Sequence, residues 1–107
     1  QNYPNPFNPS TRIPFVLEES LFEASDSVVV TIRIFNVLQQ LIAIPTALNH
    51  PEGSGRPVDG LAYRTAGRKE AFWDGIDRTG RQVASGIYYL QLVVNGESQV
   101  RKMVVAK

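Results

Sequence analysis

Along residues 28–35, "VVVTIRIF", Val28, Val30, Ile32 and Ile34 recur with a period of two, and Thr31 and Arg33 fall on the opposite face. That alternation predicts a half-buried β-strand. A shorter apolar run, "RIPFVL" at 12–17, contains Pro14, which has no N–H to give a ladder. It belongs at a sheet edge or at a bulge. "QLIAIP" at 40–45 reads as the return partner of 28–35 across the link "NVLQ", and "KEAFW" at 69–73 as a further strand. Near the end, "GIYYLQLVV" and "ESQVRKMVV" are separated by Asn95-Gly96. That dipeptide favours the positive φ angles of a type I′ turn, so 87–105 is expected to be a β-hairpin.

Turn chemistry fills the gaps. Asp77-Arg78-Thr79-Gly80 has the form of a type I turn, with Asp able to accept backbone N–H bonds and Gly at the fourth position. Gly75 and Gly86 punctuate the same stretch. The pattern as a whole predicts an all-β, Ig-like antiparallel sandwich of about seven strands. One segment stands apart. Residues 46–66 are rich in proline and glycine and read as a long loop, the part expected to be most mobile, since loops beyond about 12–15 residues are usually functional or disordered.

Composition narrows the class. At 107 residues the chain is expected to form one domain, 1–107. A domain of this size buries roughly two-thirds of its unfolded surface, enough for a core without staples. There is no cysteine, so disulfides contribute nothing. The formal charge is +1, with 11 basic and 10 acidic residues spread along the chain. That balance offers no field for a polyanion, and nucleic acid is not an expected partner. No apolar run approaches the ~20 residues of a membrane span. The chain opens at Gln1 without Met or a leader pattern, which reads as an excerpt or processed product of something longer.

Catalytic chemistry finds little to work with. His50, the only histidine, precedes Pro51 in the long segment. A catalytic or metal role would need Glu52 or Asp59 beside it, and the simpler reading is a solvated loop histidine. Ser85 in "ASGIYY" lacks the strand-to-helix elbow that exposes a hydrolase serine. The acids of "DGIDRTG" invite a calcium loop, but counting from Asp74 puts Ile76, Arg78 and Ser85 where oxygen ligands belong. Asp74 and Asp77 are instead expected to bond turn backbone. Tyr63, Phe72, Trp73, Tyr88 and Tyr89 raise the possibility of sugar stacking, although aromatics in small sandwiches more often form the core. Tyr88 and Tyr89 are adjacent in a strand and must face opposite sides. No nucleophile, base and orienting group come together, so no enzyme, cofactor or metal site is expected.

Three stretches, in order, resemble one family. "NYPNPFNPSTRIPF" resembles the opening motif of the C-terminal sorting domains of the type IX secretion system. "AGRKEAFWDGIDRTGRQVASGIYYLQL" resembles that family's "AG…WDG-D…GR-VASGVY" block, and "RKMVVAK" resembles its "-KM-V-K" terminus. The three blocks lie at the start, in the middle and at the end of the chain, and the stretch 46–66 has no counterpart in the family pattern. The same kind of block also occurs in the Ig-like domain of the flagellar hook-capping protein.

The resemblance implies a domain at the C-terminus of exported proteins of Bacteroidota and related bacteria. Such domains are recognised by outer-membrane secretion machinery, carry an upstream cargo, and end secreted or at the cell surface. The positions matching the family are Asn5, Pro6, Phe7, Asn8 and Pro9 in the opening motif. Trp73, Asp74, Gly75, Asp77, Gly80, Val83, Gly86 and Tyr88 match the middle block, and Lys102, Val104, Val105 and Lys107 the terminal strand.

Residue chemistry agrees with that reading. Pro4, Pro6 and Pro9 hold the first ten residues extended and bias each preceding residue away from helix. This segment, 1–10, is expected to be a stiff junction to the cargo, with Asn5 and Asn8 bonding local backbone and Phe7 plugging one end of the core. Arg101, Lys102 and Lys107 put positive charge on the last strand. Charge there discourages edge-to-edge aggregation, and the same edge is where a receptor strand can add. Two rival readings remain: a structural Ig-like module, as in a hook cap or spacer, and a carbohydrate-binding module.

Overall fold

The computed structural model describes residues 10–52 and 54–106. Asn5, Pro6, Phe7, Asn8 and Pro9 of the junction, and Lys107 of the terminal block, lie outside the described residues. Eight strands follow in chain order: β1 (Thr11–Leu17), β2 (Val28–Phe35), β3 (Leu41–Ala43), β4 (Thr46–Leu48), β5 (Leu61–Tyr63), β6 (Gly67–Trp73), β7 (Gly86–Val94) and β8 (Glu97–Val105). A single 3-10 turn, Glu19–Phe22, interrupts them, and no α-helix occurs among the described residues.

The strands form two antiparallel sheets, one ordered β1-β6-β4, the other β3-β2-β7-β8 with β5 also on β2. This is the expected all-β sandwich. Each strand delivers its apolar face to the space between the sheets. From β1 come Ile13, Phe15 and Leu17, and from β6 Ala71 and Trp73. Facing them are Val28, Val30, Ile32 and Ile34 of β2 and Tyr88, Leu90 and Leu92 of β7. Each such aliphatic side chain taken fully out of water contributes about 1.5–3 kcal/mol before entropy is charged against it.

Proline placement follows the rule for edges. Pro14 lies on β1, the outermost strand of its sheet, where no neighbouring strand asks for its missing N–H. At the hairpin, Asn95 and Gly96 take φ of 48° and 87°, joining β7 to β8 through the predicted type I′ turn. The pairing of β7 with β8 runs from Val94 opposite Glu97 to Gly86 opposite Val105.

The stretch 46–66 corrects the sequence reading. It is not one long loop but two short strands on different sheets. β4 pairs with β6, and β5 pairs with β2. Its backbone groups are paired on the way across. Ala47 N–H donates to Arg56 O (2.8 Å), Val58 N–H to Pro45 O (2.9 Å), and Ile32 N–H of β2 to Val58 O (2.8 Å). Val58 is fully buried. Glycine and proline here serve tight reversals between paired positions, and three-residue strands carry too short a period to be read from a pattern. Added to the six runs read as strands from the sequence, β4 and β5 bring the number among the described residues to eight.

Candidate functional site

The predicted middle block folds into one corner between β6 and β7. Trp73, at the end of β6, is buried, and its Nε1–H donates to Ile76 O at 3.0 Å. Its ring meets Tyr88 edge-on, with centroids 5.9 Å apart. Tyr88 is buried too, and its hydroxyl donates to Ala84 O at 2.7 Å. Gly75 takes φ of 80°, a left-handed turn a side chain would strain, and its carbonyl accepts from Val83 N–H at 2.9 Å. Val83 is buried beneath. Gly80 and Gly86 also have positive φ, closing the turn and opening β7.

The two aspartates act as expected. Asp74 Oδ1 accepts from Ile76 N–H at 2.9 Å. Asp77 Oδ1 accepts from the Thr79 hydroxyl (2.7 Å), Thr79 N–H (2.9 Å) and Arg81 N–H (3.1 Å). These bonds, the Thr79 hydroxyl first, hold the Asp77 carboxyl below its ordinary range. A lowered value means that the turn gains stability above the ordinary carboxylate pKa and loses it as pH falls through the lowered one. The carboxylates are thus committed to backbone. Among the described residues, no group of three or more His, Cys, Asp or Glu gathers as metal ligands would.

The terminal strand meets that corner. Tyr88 pairs with Met103, Ile87 with Val104, and Gly86 with Val105. Val105 is buried, whereas Lys102 is exposed and Val104 is 72% exposed. β8 is an edge strand, and Arg101 and Lys102 are exposed on it. The start of β1 arrives at the same place: Thr11, Trp73, Met103 and Val105 line one shallow depression.

His50 is a second correction. It is buried, 7% exposed, rather than solvated. Glu52 backbone N–H donates to Nδ1 at 3.1 Å, so Nε2 carries the hydrogen and donates to Ala62 O at 2.7 Å. The imidazole staples the segment after β4 onto β5. Glu52 contributes its amide rather than its carboxylate, which pairs with Arg64 at 3.5 Å instead. The reason is geometric: the turn that puts His50-Pro51-Glu52 together points the amide inward and the acid to solvent.

Tyr63 stands against His50 (4.7 Å) and Phe15 (5.7 Å), both edge-on. Its hydroxyl is buried with no hydrogen-bond partner among the described residues. Burial pushes its pKa from 10.0 up to about 12. Between those values the unfolded chain ionises first, so folding stability falls as pH rises from about 10 to 12. Tyr63→Phe is expected to raise stability at neutral pH by about 1 kcal/mol, since an unpaired buried hydroxyl is removed. It should also flatten the alkaline decline. Urea titrations of both proteins at pH 7 and across the alkaline range check this; a less stable Phe variant would reveal a hidden partner for the hydroxyl.

A surface unread in the sequence lies on the outer face of the larger sheet. Phe35 of β2 sits directly opposite Tyr89 of β7, which sits opposite Lys102 of β8; the next row is Arg33, Gln91 and Val100. The adjoining turn, fixed by Asn36 Oδ1 accepting from Leu38 and Gln40 N–H groups, holds Val37 and Leu38 out in water. The signal was present in the period of two along β2 and β7, where Phe35 and Tyr89 fall on the polar face.

These features define an all-β sandwich with a structured corner and a free, cationic edge strand. Compared with protein-family models, curated proteins and solved structures, the chain matches none. No helix among the described residues is long and apolar enough to cross a membrane.

Proposed function

We propose that this chain is a non-catalytic sorting and anchoring domain of the type IX secretion kind, which directs an upstream cargo to the cell surface. The observation that carries the reading is spatial. The start of β1, the Trp73–Tyr88 corner and the tail of β8 converge at one end of the sandwich. Each of these belongs to one of the three stretches that resemble the family, and they meet although they lie far apart in the chain. A receptor gripping the tail there would feel whether the corner is folded, and so would read a completed domain. The partner is outer-membrane secretion machinery, and the cargo enters through 1–10.

The structural-module reading shares this fold and differs in needing no particular tail. The sugar-binding reading loses Trp73 and Tyr63 as stacking platforms, because both are buried (3% and 4% exposed).

Deleting 102–107 is a poor test, because it removes buried Val105 and its pairing with β7 along with any signal. Lys102→Glu and Val104→Asp change only exposed positions and should alter stability by about 0.5 kcal/mol or less. With a reporter fused ahead of Gln1 in a type IX-secreting host, both together are expected to leave the reporter in the periplasm while the domain's melting curve stays unchanged. Undiminished surface display would reject the proposal.

A further inference from the structure

Both sheets end on the same side of the molecule, one at β1 and the other at β8. The two edges do not pair as strands. One side chain crosses the seam: Arg101 Nη1 donates to Pro14 O at 2.9 Å. Between the edges runs a groove of about 610 Å³ with Phe15 and Leu92 in its lining and Glu18, Glu97 and Arg101 among its charged residues. β8 pairs with β7 over its whole length and offers its other edge to no strand among the described residues. Such an edge presents a row of unpaired N–H and C=O groups.

We propose that this edge is where two copies of the chain join, β8 against β8 of the second copy, antiparallel about a two-fold axis at Gln99. The register follows from parity and charge. In an antiparallel pair, residues directly opposite project from the same face. Two-fold pairing of a strand with itself therefore joins only positions whose numbers sum to an even value. β8 carries Glu97, Arg101 and Lys102; Glu97 and Arg101 share one face, and Lys102 is on the other. Centring on Gln99 sets Glu97 opposite Arg101 of the second copy, and does so twice. Centring on Val100 sets Arg101 opposite Gln99 and Lys102 opposite Ser98, with no pair formed. Centring on Arg101 or Glu97 sets like charges against each other. One register alone joins an acid to a base.

The residues are available for it. Glu97 and Arg101 are exposed, and among the described residues neither takes part in an ion pair. Arg101 exchanges a neutral carbonyl for a carboxylate, a stronger, charge-assisted partner. On the outer face, Val100, 65% exposed, becomes the diagonal neighbour of Val100 of the second copy. Glu18 and Gln99 border the groove beside the new pairs. Edge charges normally keep strands apart; here the same charges select one alignment. The contact is isologous and closes as a dimer. It does not depend on the export reading.

Sedimentation velocity over a dilution series tests it. The wild-type chain is expected to show a monomer–dimer equilibrium that weakens with salt. Glu97→Arg and Arg101→Glu should each weaken self-association by about tenfold or more, because each sets two like-charged pairs in place of two attractive ones. The double variant should restore it, and mixing the two single variants should give a heterodimer tighter than either homodimer. Circular dichroism checks that all three fold. A wild-type chain that stays monomeric at the highest soluble concentration overturns the proposal. So does a dimer indifferent to both reversals, which would place the contact elsewhere, such as the Phe35–Tyr89 face.

Discussion

Trp73→Ala is expected to lower the unfolding free energy by about 3–5 kcal/mol, the range for emptying a large aromatic site in a core. Three losses coincide there. The indole is 3% exposed, so nearly all its surface returns to a cavity or to water. Ile76 O loses its donor. Tyr88 loses the ring it packs against, on the strand that pairs with the tail. Trp73→Phe should recover most of the packing and leave a deficit of about 1 kcal/mol for the lost N–H bond. Urea unfolding followed by far-UV circular dichroism measures both. A glycan-stacking tryptophan behaves in the opposite way, losing ligand while the fold survives. An alanine variant with wild-type stability would therefore remove the corner from the core and revive the sugar-binding reading.

His50→Ala is the second large effect, expected at about 2–3 kcal/mol. Truncation leaves Ala62 O and the Glu52 N–H without their partners, and buried unpaired groups cost about 1–3 kcal/mol each. It also opens space beside Tyr63, whose ring rests on the imidazole. Because His50 ties the segment after β4 to β5, amide exchange in 46–66 should accelerate more than in the β7–β8 hairpin. Uniform acceleration, or a change below about 0.5 kcal/mol as at ordinary surface sites, would show that the staple contributes little.

The export and dimer readings meet on the same strand and overlap at Lys102. The register centred on Gln99 pairs 96–102, with Lys102 at its last position opposite Gly96 and Val104 outside the ladder. Val104→Asp by itself and the Glu97/Arg101 reversals can therefore be scored separately. Export that fails only in the first and association that fails only in the second would assign the two halves of β8 distinct roles.

Much of the architecture could be read from the chain because its long strands bury one face only. Residues 28–35 alternate so regularly that β2 needed no context, and Asn95-Gly96 dictated its turn through φ alone. Pro14 narrowed β1 to an edge or a bulge by the donor it lacks, and the edge is what the fold shows. Asp74 and Asp77 revealed their roles because their partners lie within four residues. Local chemistry of this kind is settled by the residues themselves.

The rest depends on contacts between residues distant in the chain. β4 and β5 are three residues long, and only β6 and β2 waiting beside them make strands of Thr46–Leu48 and Leu61–Tyr63. His50 became a buried staple because β5 brings Ala62 O within 2.7 Å of a ring that sequence places in a loop. Phe35 and Tyr89 form one surface only because β2 and β7 are neighbours in that register. Composition and periodicity determined the all-β class, the hairpin and the turns. Tertiary structure alone decided which edge stays open and which distant blocks meet at one end, because sheet order arises from pairing free energy summed over the whole chain and leaves no mark on any short stretch of it.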